Sequence, residues 1–230
     1  MPIRPGAASR RLRRAVKYGV PFDPTSLDLD AWFVDPDMFR SRKAWHRAGF
    51  DILNPAKNTE CMVAAHPSAP GYLFKKYPDD FRSQREQREN FSARVEGSER
   101  LARLITKRDL KHIVAPRKHV HVLPRSFGKD TQVLIVERLD ILGTEKTEAC
   151  FHDIAEPVLR ELILVLVRYR GLDSNSKNVQ FTTDGKIAFI DLENWQRAYR
   201  KEVRLRSIST YMSKRGRKLA EKILGERTRG

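Results

Sequence analysis

From Phe50 to Tyr77 the pattern of apolar and polar positions is that of strand, in three short runs, FDILNP, ECMVAAHP and GYLFKKY. Pro, Asn, Gly and Ser punctuate them, and the pattern predicts three strands. A polar stretch from Ser83 to Lys107 follows, with Phe91, Val95, Ala102 and Ile105 at helical spacing, and predicts one long helix. His112 to Pro116 and Val120 to Leu123 read as another strand pair, and Gln132 to Val136 as the most apolar strand of the chain. Residues 142–150 read as a polar linker. The helix from His152 to Arg168 carries LILVLV, which places it in a core. Ahead of the first strand, Asp35-Pro36 has the form of a helix start, with Asp as N-cap and Pro at the first helical position. That helix would pack Phe39, Ala44 and Trp45 and stop at Gly49. A basic helix from Ser209 to Leu224 comes last, and the whole pattern is that of an α+β protein.

Between the core helix and the basic helix lies GLDSNSKNVQFTTDGKIAFIDLEN, Gly171 to Asn194. Asn178 to Phe181 and Lys186 to Ile190 read as two strands of a hairpin, turned by Asp184-Gly185, both of which tolerate positive φ. Asp173 and Asn178 then lie in the loop before the hairpin, and Asp191 just past its second strand. Two carboxylates and an amide oxygen meeting across a narrow gap suit a hard divalent cation such as Mg²⁺.

Asp, four residues, Asn, twelve residues, Asp resembles the catalytic and metal-binding loops of the protein kinase superfamily. The resemblance implies that Asp173 accepts the substrate hydroxyl proton and that Asn178 and Asp191 hold Mg²⁺ on the phosphates of ATP. It departs from the common pattern at Gly171-Leu172, where His-Arg is usual, and at Leu192-Glu193, where Phe-Gly is usual. Leu73-Phe74-Lys75 resembles the strand whose lysine meets the nucleotide phosphates. Strand alternation sends Lys75 and Lys76 to opposite faces, and Lys75, sharing a face with Leu73, matches the family better. The alternative is an exposed edge strand blunted by two lysines. The long helix would supply a glutamate to the lysine, Glu96 first, then Glu89, with Glu86 and Glu99 also open. Glu137-Arg138-Leu139 resembles the hinge. Val136 would then line the pocket behind adenine, while the Glu137 carbonyl and the Leu139 amide read its edge. The glycine-rich phosphate hairpin is missing, since Asn54 to Glu60 (NPAKNTE) contains no glycine.

The implied fold is two-lobed, with a mostly antiparallel N-lobe sheet and a reduced helical C-lobe. The parts would be a flexible basic arm over 1–19, a helical brace over 20–49, an N-lobe over 50–139 and a C-lobe over 140–230. The implied activity is Mg²⁺-ATP-dependent transfer to a protein Ser/Thr hydroxyl, with a small-molecule acceptor as the next choice. A kinase-like binding module without transfer is the alternative, and a nucleic-acid binder the third.

Charge adds a separate theme. The formal net charge is +16, and it sits at the ends. Arg4, Arg10, Arg11, Arg13, Arg14 and Lys17 precede any acid, and residues 196–230 carry twelve Lys and Arg against Glu202, Glu221 and Glu226. Such ends suit nucleic acid, an anionic membrane surface or an acidic protein. The first residues also have the Arg-rich, acid-free composition of some organelle or effector-delivery leaders. Cys61 and Cys150 are the only cysteines, which fits a reducing compartment such as the cytoplasm. No apolar run approaches the roughly eighteen residues that span a bilayer.

Overall fold

The computed structural model describes residues 22–54, 61–77, 83–128, 131–169, 172, 174–192 and 205–228. Its strands are β1 (Asp51–Ile52), β2 (Met62–Ala65), β3 (Tyr72–Lys76), β4 (Ile113–Val114), β5 (Lys118–Val122), β6 (Gln132–Glu137), β7 (Val179–Phe181) and β8 (Ile187–Phe189). Its α-helices are α1 (Leu29–Trp32), α2 (Arg42–Arg47), α3 (Gln84–Arg108), α4 (Thr144–His152), α5 (Glu156–Arg168), α6 (Arg206–Ser209) and α7 (Lys214–Thr228). This is the expected α+β class. The basic arm expected over 1–19 lies outside the described residues. The chain divides into two compact units, Met1–Ser92 with Arg117–Arg138, and Ala93–Pro116 with Leu139–Gly230.

The first unit holds a five-stranded antiparallel sheet in the order β1-β2-β3-β6-β5. β3 is internal, with Lys75 opposite Val63 on one side and Leu134 on the other. It is therefore not an edge strand. Because residues opposite each other in a ladder share a face, Leu73, Lys75, Leu134 and Val136 lie on one side of the sheet and Tyr72, Phe74 and Lys76 on the other. The second side is covered by the segment before β1. Phe74 is fully buried, with the rings of Phe50 and Phe33 at 5.3 and 6.3 Å, and Trp45 meets Phe50 at 5.0 Å. Each such ring contributes about 2 kcal/mol by burial.

That covering segment is not the single helix expected after Asp35. Asp35 caps a 3₁₀ turn, Pro36–Arg40, and Ser41 then returns to extended backbone at φ −155° and caps α2 through its own hydroxyl, which accepts from Ala44 N at 3.2 Å. A serine able to satisfy a new helix N-terminus competes with continuing the old helix. Phe39, Ala44 and Trp45 are nevertheless buried, and Gly49 ends α2 at φ +86°.

The second unit holds a three-stranded sheet, β4-β8-β7, in which β4 runs parallel to β8 and β7 antiparallel to it. β4 and β5 thus belong to different sheets and do not form the expected pair. Pro116 between them has no N–H to continue a ladder. The residues expected as a linker form α4, whose sequence looks polar because only Thr147 and Phe151 turn inward. α5 begins at Glu156 rather than His152, with Pro157 in the first turn, where its missing N–H costs nothing. Leu159, Leu162, Ile163, Val165 and Leu166 of α5 are buried with Ala220 and Ile223 of α7.

Glu161 of α5 ties down the entry to β4. Its two carboxylate oxygens accept from the backbone N–H of Lys111 at 3.0 Å and of His112 at 2.7 Å. Glu161→Ala strands both donors and is expected to cost about 2–4 kcal/mol in denaturant unfolding. Glu161→Gln, which keeps one acceptor, should recover about half.

Cys61 and Cys150 are free thiols. Among the described residues no helix is long and apolar enough to cross a membrane.

Candidate functional site

Asn175, which the sequence reading passed over, organises the loop ahead of β7. Its side-chain oxygen accepts from the N–H groups of Lys177 at 2.9 Å and Asn178 at 3.0 Å, and its carbonyl from Asn178 and Val179, each at 3.0 Å. This is the local turn that short amide side chains favour. The loop is also fastened to α4, because Ser176 Oγ donates to Glu148 Oε1 at 2.8 Å and Phe181 N donates to Thr147 Oγ1 at 3.1 Å.

The hairpin then fixes where its ends lie. Val179 pairs with Phe189 and Phe181 with Ile187, and Ile190 N donates to the Asn178 carbonyl at 2.8 Å. Asn178 is therefore opposite Ile190, next to Asp191. The turn is wider than the two-residue form expected. Thr182 N donates to the Lys186 carbonyl and the Thr182 hydroxyl bridges Asp184 and Lys186, so three residues are looped out. Only Gly185 among them has positive φ, +81°. Asp173 lies outside the described residues.

Asp191 meets a partner that the sequence reading did not name. Arg94 of α3 places Nε 3.2 Å from Asp191 Oδ1, with 7% of the Arg94 side chain and 23% of the Asp191 side chain exposed. Asn178 and Asp191 both offer oxygen, the donor type Mg²⁺ takes, and they stand at the same end of one hairpin. Among the described residues no group of three His, Cys, Asp or Glu side chains is gathered tightly enough to hold a metal ion.

In the first unit, Lys75 and Lys76 have different surroundings. Lys76 is fully buried on the aromatic side of the sheet. Its Nζ donates to the Tyr77 carbonyl at 2.8 Å and to Gln87 Oε1 at 3.0 Å, and lies 5.4 Å from the Phe39 ring centre. Lys75 is 8% exposed and shares the opposite face with Val136, itself 3% exposed. The four glutamates weighed as lysine partners have roles along α3. Glu86 accepts from Ser83 N at 3.1 Å, while Glu89, Glu96 and Glu99 pair with Arg85, Arg100 and Arg103 at 2.8, 3.0 and 3.8 Å.

α3 buries three polar residues along with its apolar ones. Gln87, Phe91, Arg94, Ser98 and Leu101 are all buried and recur at helical spacing. Leu101 is buried where Ala102 was expected, and Ala102 is exposed. Ser98 Oγ donates to the Pro116 carbonyl. The stripe is visible in the sequence once polar residues are admitted to it.

Glu137 ends β6 with its side chain engaged. The Arg117 guanidinium reaches its carboxylate at 2.6 Å, and Arg117 N donates to Glu137 Oε2 at 3.0 Å. Glu137 N donates to the Arg117 carbonyl at 2.8 Å. Arg138 N donates to the Gly71 carbonyl at 2.8 Å, which orients the segment leading to Leu139. Far along the chain, α7 exposes Lys214, Arg215, Arg217, Lys218 and Lys222, so much of the C-terminal charge is on one helix.

No protein-family model matches the chain, and no curated protein matches it. Among solved structures, the crystal structure of WbdD is similar at a TM-score of 0.35 and 14% identity, over 63% of this chain and 32% of that one. The chain thus spans about a third of the length of that structure, and a likeness so loose says nothing of what the chain does.

Proposed function

We propose that the chain is a Mg²⁺-ATP-dependent phosphotransferase with a two-lobed, protein kinase-like fold, a reduced C-terminal lobe and a protein Ser/Thr hydroxyl as acceptor. The observation that supports the reading is the hairpin register, which sets Asn178 opposite Ile190, the residue before Asp191, so that both oxygen-bearing residues belong to one end of the hairpin. A second support is Lys75, a nearly buried cation on an internal strand that shares a sheet face with Val136.

In this reading Asn178 and Asp191 hold the cation through their side-chain oxygens. Mg²⁺, when bound, neutralises phosphate charge as it develops during transfer. Lys75 offers its ammonium to the nucleotide phosphates. The Glu137 carbonyl and the Leu139 amide present one acceptor and one donor to the adenine edge. Val136 supplies an apolar wall behind the base. Asp173, assigned from the sequence pattern alone, takes the proton of the attacking hydroxyl. Catalysis is then mostly positioning and electrostatics.

A second reading, a nucleotide-binding module without transfer, is favoured by Arg94 on the Asp191 carboxylate and by the lack of glycine from 54 to 60. One experiment separates the two. With radiolabelled ATP, Mg²⁺ and a cell lysate, the native protein is expected to label a protein acceptor, and Mg²⁺-ATP to raise its melting temperature. A rise without labelling selects the binding module, and neither result abandons ATP altogether.

A further inference from the structure

α7 is joined to the second unit along one side. Ala220 and Ile223 are buried with the inward residues of α5. Gly216 is buried as well, where a Cβ would stand 3.3 Å from that of Met212. Both ends are fastened: Ser213 N donates to the His152 carbonyl at 3.1 Å, and Glu226 pairs with Arg160 at 3.0 Å. The side of α7 away from these contacts is a narrow basic crest. Lys214, Lys218, Lys222 and Arg215 are all exposed and fall within about 100° of one another around the helix. Gly225 lies on the same line, and a Cβ there would meet nothing within 4 Å. Glu221 and Glu226 stand about 70° to either side of the middle of the crest, and no apolar or aromatic residue lies between them across it. Farther round on the Glu221 flank, Arg217 is exposed and donates to the Met212 carbonyl at 2.8 Å.

These positions sort the anionic partners by shape. A helix is about 10–12 Å wide and the DNA major groove about 12 Å, so a helix seated there turns its flanks to the phosphates. On α7 one flank sets Glu221 against Arg217, and the other has Glu156 and Glu226 on either side of Arg160. Neither flank has net positive charge to offer. A single strand binds by stacking on rings, and the crest has none. An acidic protein would meet the crest through exposed ion pairs, each of which contributes little. A flat anionic surface touches the crest alone and leaves both flanks in water, and there each basic side chain strengthens binding about fivefold. The apolar side of α7 is occupied by α5, so such attachment is electrostatic and inserts nothing among acyl chains.

We propose that the crest of α7 is a docking surface for an anionic lipid bilayer, met by Lys214, Arg215, Lys218 and Lys222 together. The inference is independent of the phosphotransferase reading.

The test is sedimentation of the full chain with lipid vesicles. Vesicles of phosphatidylcholine with about one-third phosphatidylglycerol are expected to carry the native protein down at low salt and to release it near about 0.5 M salt, whereas phosphatidylcholine alone should not bind it. Lys218→Gln is expected to weaken binding about fivefold, and the combined variant K214Q/R215Q/K218Q/K222Q at least about a hundredfold. All four side chains are exposed, so these variants should melt as the native protein does. Lys43→Gln, which removes an exposed charge from α2 of the first unit, should leave binding near native. Native protein that stays in solution with the anionic vesicles overturns the proposal without any variant. A combined variant that still binds them hands the attachment to another basic segment and overturns it too. An equal fall in Lys43→Gln reduces the effect to net charge, and attachment that survives high salt points to insertion; either result removes the crest as the docking surface. Native protein that binds duplex DNA more tightly than the vesicles at equal phosphate concentration assigns the crest to nucleic acid instead.

Discussion

Asp191→Ala is expected to abolish the rise in melting temperature that Mg²⁺-ATP confers and to lower phosphoryl transfer by about a thousandfold or more. The binding effect follows from the loss of the charged ligand at the end of the hairpin, with neutral Asn178 left opposite Ile190. Ligand at about a hundred times its Kd stabilises a protein by about 2.7 kcal/mol, so the lost shift is well within reach of a thermal scan. The same substitution leaves Arg94 without this carboxylate. Because Asp191 is 23% exposed, that loss should cost about 2 kcal/mol, less than for a fully buried pair. Asp191→Asn, which keeps shape and a hydrogen-bonding oxygen, should lose the nucleotide effect with a smaller fall in stability. Asp173→Ala is the contrasting variant, with the shift retained and transfer lost. An Asp191→Ala protein that still gains stability from Mg²⁺-ATP would remove Asp191 from the site.

Lys75→Met should lower transfer by about a hundredfold or more, whereas Lys76→Met should leave it near native. The two lysines are adjacent in sequence yet belong to opposite faces of one sheet. Lys76 is closed in by Phe39, Gln87 and the Tyr77 carbonyl, surroundings that seat an ammonium structurally. Replacing it by Met keeps the volume and leaves two acceptors short of a donor, an effect of about 1 kcal/mol on stability. Lys75 lies with Leu134 and Val136, the face on which the adenine wall was placed. Steady-state transfer and thermal unfolding of both variants check the assignment. Loss of transfer in Lys76→Met with Lys75→Met active would reverse it.

The strands of the first sheet were legible because short apolar runs are set off by Pro, Asn, Gly and Ser, and β3 was correctly taken as carrying two lysines on opposite faces. The interior of α3 was harder. Gln87, Arg94 and Ser98 occupy buried positions with polar partners, so a search for apolar spacing selected Ala102 and missed Leu101. β4 was misassigned because its partner is remote: Ile113 pairs with Ile187, and no local pattern announces a parallel neighbour. The hairpin could be found from Asp184-Gly185, but its width depends on the Thr182 hydroxyl, a tertiary detail in a small space. Asn175 could have been found, since Asn ahead of a strand, with polar residues following, is a common turn former. Arg94 could not be matched with Asp191 from sequence, because nothing in the spacing of a helix and a distant hairpin specifies which charges meet.

The parallel pairing of β4 with β8 bears on how the protein is made. On a ribosome, Ile113 and Val114 emerge long before Ile187 and Ala188 exist to pair with them. The inward face of α5 has a similar wait for Ala220 and Ile223 of α7. Closing contacts so far apart in sequence is slow, and the nascent second unit must carry an unsheltered leucine-rich helix until α7 has been made. Chaperone engagement during translation should therefore concentrate on the stretch from Leu159 to Leu166.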